Sequence, residues 1–220
     1  MLITFEGIDG SGKSTQAYLI DFDLEAAGYQ VTMLHEPGST ALSEQIRSLL
    51  LSPDSKIYAR AELALFWAAR AQLVEEVIQP ALSSGHIVIC DRFYDSTTAY
   101  QGGGRGVADY DVLREFNQFI TGGVVPQRTY FIDVPVELAF ERRAGRSADR
   151  IEASGLQFYR RVREAYLQIA ESEPERVVVI DGARPIDAVR EEIKRDLEGL
   201  LPELVTGTGT VPSGSPPEQP

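Results

Sequence analysis

Gly7-Ile8-Asp9-Gly10-Ser11-Gly12-Lys13-Ser14 matches the spacing G-x-x-x-x-G-K-[ST] at every fixed position. The match is meaningful because of what flanks it. Residues 2–5 (Leu-Ile-Thr-Phe) form a short, continuously apolar run, and residues 14–27 form a helical stretch stopped by Gly28. A glycine-rich turn between a buried strand and a helix points its N–H groups inward and adds the positive end of the helix. That is a phosphate cradle, made here of Gly7, Ile8, Asp9, Gly10, Ser11, Gly12, Lys13, Ser14 and Thr15. Lys13 has the reach for the β- and γ-phosphates of a nucleoside triphosphate, and the Ser14 hydroxyl is a magnesium ligand.

Outward from this loop the same alternation repeats. Residues 31–34, 87–90, 130–134 and 177–180 are short, β-branched-rich and continuously apolar, the pattern of parallel strands covered on both faces. Helical stretches lie between them, at 58–82, at 109–121 behind Asp109 and closed by Gly122-Gly123, at 152–171 and at 186–200 behind Pro185. The expected fold is α/β, a P-loop NTPase three-layer sandwich with a five-stranded parallel sheet and helices on both faces. One folded unit over residues 1–205 is expected. Residues 206–220 hold four Pro and three Gly with one charge, and are read as a disordered tail.

Composition narrows the function. Lys plus Arg number 21 against 33 Asp plus Glu, a net charge of −12, which argues against a nucleic-acid partner. The single Cys90 excludes a disulfide framework and a Cys-based zinc site. No apolar run approaches the ~18 residues of a membrane span, and residues 1–6 lack the basic start of a signal peptide. A cytoplasmic protein with no membrane partner is expected. Among P-loop proteins, a GTPase switch should carry an Asn-Lys pair for guanine, and the sequence has none.

A small-molecule kinase needs an acceptor site and a cover as well as the cradle. Asp91 and Arg92 fall where the third strand ends, the position at which open α/β sheets bind ligands. Asp91 suits a role in holding magnesium, directly or through water, and Arg92 suits a fork onto the acceptor phosphate. Seven of the eighteen Arg lie within residues 142–163, around the flexible stretch Ala144-Gly145-Arg146-Ser147-Ala148. This stretch resembles the LID of nucleoside monophosphate kinases, which closes over the donor phosphates, and is placed at about 142–152.

Five segments, in this order, resemble the thymidylate kinase (dTMP kinase) family. They are residues 5–15, Glu36-Pro37-Gly38, Leu65-Phe66-Trp67-Ala68-Ala69-Arg70, the pair Asp91-Arg92-Phe93 and Ser96-Thr97-Thr98-Ala99-Tyr100-Gln101-Gly102, and Asp149-Arg150-Ile151-Glu152. The resemblance spans roughly residues 1–200 and implies transfer of phosphate from ATP to dTMP with Mg²⁺, in a homodimer of the nucleoside monophosphate kinase type. It assigns Phe66 to stacking on the thymine, and Arg70, four residues on and on the same helix face, to the base edge. Thr97 meets the polar edge of the base, with Gln101 beside it. Tyr100 crowds the sugar 2′ position, Asp9 accepts the 3′-hydroxyl, and Arg47 joins Arg92 on the acceptor phosphate. Arg184, after the last strand, falls near the adenine. No cation occupies the variable cradle positions, which implies the type whose catalytic arginine comes from the LID, with Arg146 and Arg150 as candidates. His35 and Ser39 depart from the common pattern around Glu36-Pro37-Gly38. The alternatives are another nucleotide or deoxynucleoside kinase, and an ATP-dependent regulatory switch.

Overall fold

The computed structural model describes residues 1–145 and 147–201; Arg146 and the tail at 206–220 lie outside the described residues. Five parallel strands, β1 (Leu2–Glu6), β2 (Val31–His35), β3 (Ile87–Asp91), β4 (Arg128–Asp133) and β5 (Val177–Asp181), form one sheet in the order β2-β3-β1-β4-β5. β1 is central, paired with β3 and β4, so the loop that follows it emerges in mid-sheet.

Period-two alternation divides the sheet between two helical layers. Ile3 and Phe5 of β1, Ile89 of β3 and Ile132 of β4 pack against α1 (Lys13–Ala26) and α9 (Ile186–Leu200) through Ile20, Leu24, Ile193 and Leu197. Leu2, Val88 and Cys90 face the other way, onto Leu73 at the end of α3 (Ala59–Leu73) and onto Val74 and Ile78 just after it. Phe131 on that side meets α8 (Leu156–Ser172) through Phe158, Tyr159, Val162 and Tyr166. The three-layer α/β sandwich read from the sequence is the observed one.

Two elements differ from expectation for local reasons, and a third was not anticipated in the sequence. The stretch 58–82 is helical throughout but holds a π turn at Val74–Ile78 before α4 (Gln79–Ser83). Pro80 has no N–H to donate four residues back and its ring crowds that carbonyl, so the ladder loosens just before it. The stretch 152–171 is broken at Gly155 (φ 79°), leaving a 3₁₀ turn at Glu152–Ser154 ahead of α8. The third is the glycine-rich run after Arg92, which has no helical periodicity yet forms α5 (Tyr94–Thr97) and a π turn at Thr98–Gly104. Its glycines are packing surfaces: a Cβ on Gly103 would lie 2.5 Å from Ala165, and one on Gly104 2.5 Å from Phe158. They let α8 lie directly on the turn. The remaining helices are α2 (Ala41–Leu51), α6 (Tyr110–Ile120) and α7 (Val136–Arg142).

Candidate active site

The cradle leaves β1 at Gly7 and enters α1 at Lys13. Gly7 (φ 144°) and Gly10 (φ 88°) are required twice over. Besides their left-handed backbone, a Cβ on Gly7 would stand 2.6 Å from the Ile132 carbonyl oxygen, and one on Gly10 2.5 Å from that of Ala139. α7 therefore rests on the loop, and its last residue continues the contact. The Arg142 guanidinium donates to the carbonyls of Ser11 (3.2 Å) and Gly182 (2.9 Å). Gly10, Ser11, Gly12, Thr15, Arg142, Gly182 and Arg184 line one cleft. The turn after β5 thus meets the cradle, and Arg184 on it is braced by Glu192 and the Ala188 carbonyl.

On the other side of the loop lies a second cavity, lined by Asp9, Arg47, Phe66, Arg92, Thr97, Tyr100 and Gln101. Seven residues singled out in the sequence, six from three of the five segments and Arg47 from outside them, meet here. Arg92 holds a left-handed backbone (φ 73°) that turns its guanidinium back over the cradle. It donates to Asp9 Oδ1 (2.6 Å), the Gly7 carbonyl (2.9 Å) and Tyr100 Oη (3.0 Å). Asp9 Oδ2 accepts from Tyr100 (2.9 Å) and Tyr159 (3.0 Å), and Lys13 Nζ lies 3.7 Å from Oδ1. Burial alone would raise the Asp9 pKa. The adjacent Arg92 and Lys13 charges and the bonds from Tyr100 and Arg92 outweigh it and hold the carboxyl well below the usual range. Burial, aided by Arg92, pulls the Lys13 pKa down against Asp91, Asp9 and Glu6.

A third cleft adjoins the second cavity, sharing Asp9, Arg47 and Arg92 with it, and is lined also by Lys13, Ser14, His35, Glu44 and Asp91 among others. Here the Ser14 hydroxyl donates to Asp91 Oδ2, while Asp91 Oδ1 is buried with no partner. A hydroxyl and an unsatisfied carboxylate oxygen beside a phosphate cradle fit magnesium, which binds through one or two carboxylates, water and substrate phosphates. Among the described residues no cluster of three His, Cys, Asp or Glu offers an all-protein metal cage.

Arg70 is 1 % exposed and stands behind the wall of the second cavity. It pairs with Glu36 and donates to Thr97 Oγ1 (2.8 Å), fixing the hydroxyl that lines the cavity. Arg47 donates to the Pro37 carbonyl (3.0 Å). His35 and Ser39 bond each other and both reach Glu44, which anchors the start of α2. Arg150 is not brought to the cradle. Its guanidinium is held by the buried Glu62 (2.7 Å) and by the Leu50 carbonyl (2.7 Å). Arg160, Arg161 and Arg163 are tied to Glu137, the Gly104 carbonyl and Asp133, outside the site.

The family model described as thymidylate kinase matches residues 5–193. The chain belongs to the thymidylate kinase family. It is 45 % identical to the thymidylate kinase of Kosmotoga olearia, over 94 % of this chain and all of that one. It is 47 % identical to that of Thermosipho melanesiensis, over 91 % and 99 %. The crystal structure of thymidylate kinase from Ehrlichia chaffeensis superposes with a TM-score of 0.75 at 36 % identity, covering 90 % of this chain and 98 % of that one. Membership agrees with the resemblance carried by the five segments.

Within this thymidylate kinase fold, several site residues escaped the sequence reading. Tyr159 and Tyr166, seven apart and so on one face of α8, reach Asp9 and Glu6. Glu6 accepts from the Phe93 and Ser96 amides, the Ser96 hydroxyl and Tyr166, bracing the turn that carries Arg92. Burial, reinforced by Asp95, pushes the Glu6 carboxyl up to about 7, against the pull of Arg92 and its hydrogen bonds. The two tyrosines carried a readable signal, aromatic residues at helical spacing. Glu6 carried none, because its partners lie some ninety and more residues away.

Proposed function

We propose that the chain catalyses ATP + dTMP ⇌ ADP + dTDP. The observation that carries this reading is the Asp9–Arg92–Tyr100 cluster, which forms the wall between the cradle cleft and an aromatic-lined second cavity. A cradle alone serves any nucleoside triphosphatase. A second pocket whose arginine abuts the cradle serves transfer between two nucleotides.

In this mechanism the backbone N–H groups from Gly10 to Ser14 and the Lys13 ammonium carry the donor β- and γ-phosphates. Ser14 and Asp91 hold Mg²⁺, which supplies charge neutralisation on the phosphates when bound. Phe66 stacks on the pyrimidine, and Thr97, fixed by Arg70, meets its polar edge. Arg92 and Arg47 take the acceptor phosphate. Its oxygen attacks the γ-phosphorus in line, the bond to the bridging oxygen breaks, and ADP leaves. Transfer needs positioning and charge more than a strong base, which fits a site whose one carboxylate near the sugar, Asp9, stays ionised. Arg142 and Arg143 stand against the cradle, and Arg146 follows them as the candidate for the charge over the γ-phosphate. The turn at Arg184 serves the adenine.

We further propose a cytoplasmic homodimer. Among the described residues no helix is long and apolar enough to cross a membrane. Val112, Phe116 and Phe119 of α6 are exposed, Phe119 by 79 %, with Phe116 stacked on Trp67 of α3 at 4.6 Å. Such a patch is what a second copy covers.

An ADP-release assay with dTMP, dUMP, dCMP, dGMP and ribothymidine monophosphate tests the reading. The expected result is a clear preference for dTMP. Turnover without any acceptor preference would support the switch alternative instead.

A further inference from the structure

Glu62 lies on α3, one turn before Phe66, and is 1 % exposed. A lone carboxylate there would be costly to bury. It is met instead by hydrogen bonds from two residues and by an ion pair with a third, from two other parts of the chain. Gln101 Nε2 (3.0 Å) and Arg105 Nε (3.2 Å) come from the turn that forms the acceptor wall. Arg150 Nη2 (2.7 Å) comes from the loop after α7. Burial raises the Glu62 pKa, and the bond from Gln101 with the two arginines more than reverses it, so the group is ionised at neutral pH.

The contact at Arg150 is wider than one ion pair. Its Nε donates to the Leu50 carbonyl (2.7 Å) and its backbone N–H to the Leu51 carbonyl (3.1 Å). These are last-turn carbonyls of α2, which lack helical partners and want a positive charge. α2 has no basic residue of its own in that turn. The loop is also internally fixed: Asp149 Oδ1 accepts from the Ile151 (2.8 Å) and Glu152 (2.7 Å) amides. What this turn presents to the acceptor cavity is Asp149 and Ile151, beside Leu51.

The geometry points to Glu62 and Arg150 as a latch, two positioning residues that dock the far arm of the LID onto the acceptor wall. The latch closes the rim of the acceptor cavity with Asp149 and Ile151. Through the same carboxylate it fixes the Gln101 amide, whose NH₂ must face Glu62 and whose carbonyl is thereby left for a donor such as a pyrimidine N–H. Arg150 then governs acceptor affinity, and the rate of phosphoryl transfer belongs to other groups. This rests on the acceptor cavity being the dTMP site. Wild-type turnover of dTMP tests that premise, while only the ratio of variant to wild type tests the latch.

The experiment is Arg150→Ala, with Arg150→Lys beside it, read by steady-state kinetics against dTMP and against ATP, and by calorimetric titration of dTMP into the full-length enzyme. Glu62 keeps Arg105 and Gln101 in either variant. For Arg150→Ala, KM and Kd for dTMP should rise about tenfold, within the usual span of coupling between linked sites. Its kcat should stay within about threefold and its KM for ATP should not move; Arg150→Lys, which keeps the charge but loses the fork, should fall between. A hundredfold loss of kcat with unchanged dTMP affinity would make Arg150 a transition-state group and overturn the latch. Unchanged kinetics in both variants would overturn it as well. If the Ala variant does not fold, the Lys variant decides, with about a threefold rise in dTMP KM supporting the latch and none refuting it.

Discussion

The donor cradle and the acceptor cavity meet at Asp9, yet they are built in opposite ways. The cradle is nine consecutive residues whose working groups are mostly main-chain N–H, held by left-handed glycines and by α7 pressed against Gly10. The acceptor cavity draws on α2, α3, the turn after β3, and the loop after α7. Its side chains are aimed by buried ion pairs behind the wall: Glu36 with Arg70, and Glu62 with Arg105 and Arg150. A site made of backbone tolerates loss of one side chain structurally and loses chemistry. A site made of side chains on buried charges loses structure first.

That contrast is exposed most sharply by Lys13→Ala. The Asp9 carboxylate keeps Arg92 and two tyrosines, so the melting temperature should stay within a few degrees, while kcat falls on the order of a thousandfold. Thermal unfolding and ADP release on the same preparation check it. A large loss of stability would erase the distinction.

Arg70→Ala should behave in the opposite way. It strands Glu36 as a buried, unpaired carboxylate, at a cost of about 3–5 kcal/mol, and releases Thr97. Denaturant unfolding measures the stability, and the activity that survives should show raised KM for dTMP with little change for ATP.

Tyr100 lies on the boundary. Its ring fills the space beside Asp9 and its hydroxyl is shared with Arg92. Tyr100→Ala should relax the preference for deoxy over ribo acceptor by roughly 10–100-fold in kcat/KM, whereas Tyr100→Phe should keep it. An unchanged ratio in the Ala variant would place sugar selection elsewhere.

The smallest effect concerns pH. Glu6, behind Arg92, titrates near 7 when folded against 4.5 in its ordinary state. Between those values the folded form binds more protons than the unfolded one, so stability from this group falls as pH rises from about 4.5 to 7. Asp9 has the reverse shift, and its contribution is lost only on acidification through and below the ordinary carboxylate range. Melting temperatures across pH 4.5–7 should slope downward in the wild type and more gently in Glu6→Gln.

The same contrast explains what the sequence disclosed. The sheet was legible because buried parallel strands are continuously apolar, and the cradle because its residues are contiguous. Phe66, Arg92 and Tyr100 were found as motif members. Glu6 and Glu62 were not, since their partners lie 87 and 39 residues distant at the least for the bonds that define them. Spacing along the chain holds no trace of such pairings. The turn at Thr98–Gly104 was hidden for another reason: a glycine run has no helical periodicity, and only the approach of α8 shows that its glycines serve packing.

The division between a transferring cradle and a selecting cavity is tested most directly by titrating dTMP into Lys13→Ala in a calorimeter. With turnover abolished, the dissociation constant for dTMP should lie within about threefold of the wild-type value, because Phe66, Thr97, Tyr100 and Arg92 are untouched. Loss of dTMP binding together with turnover would show that the two sites are one, and would contradict the account.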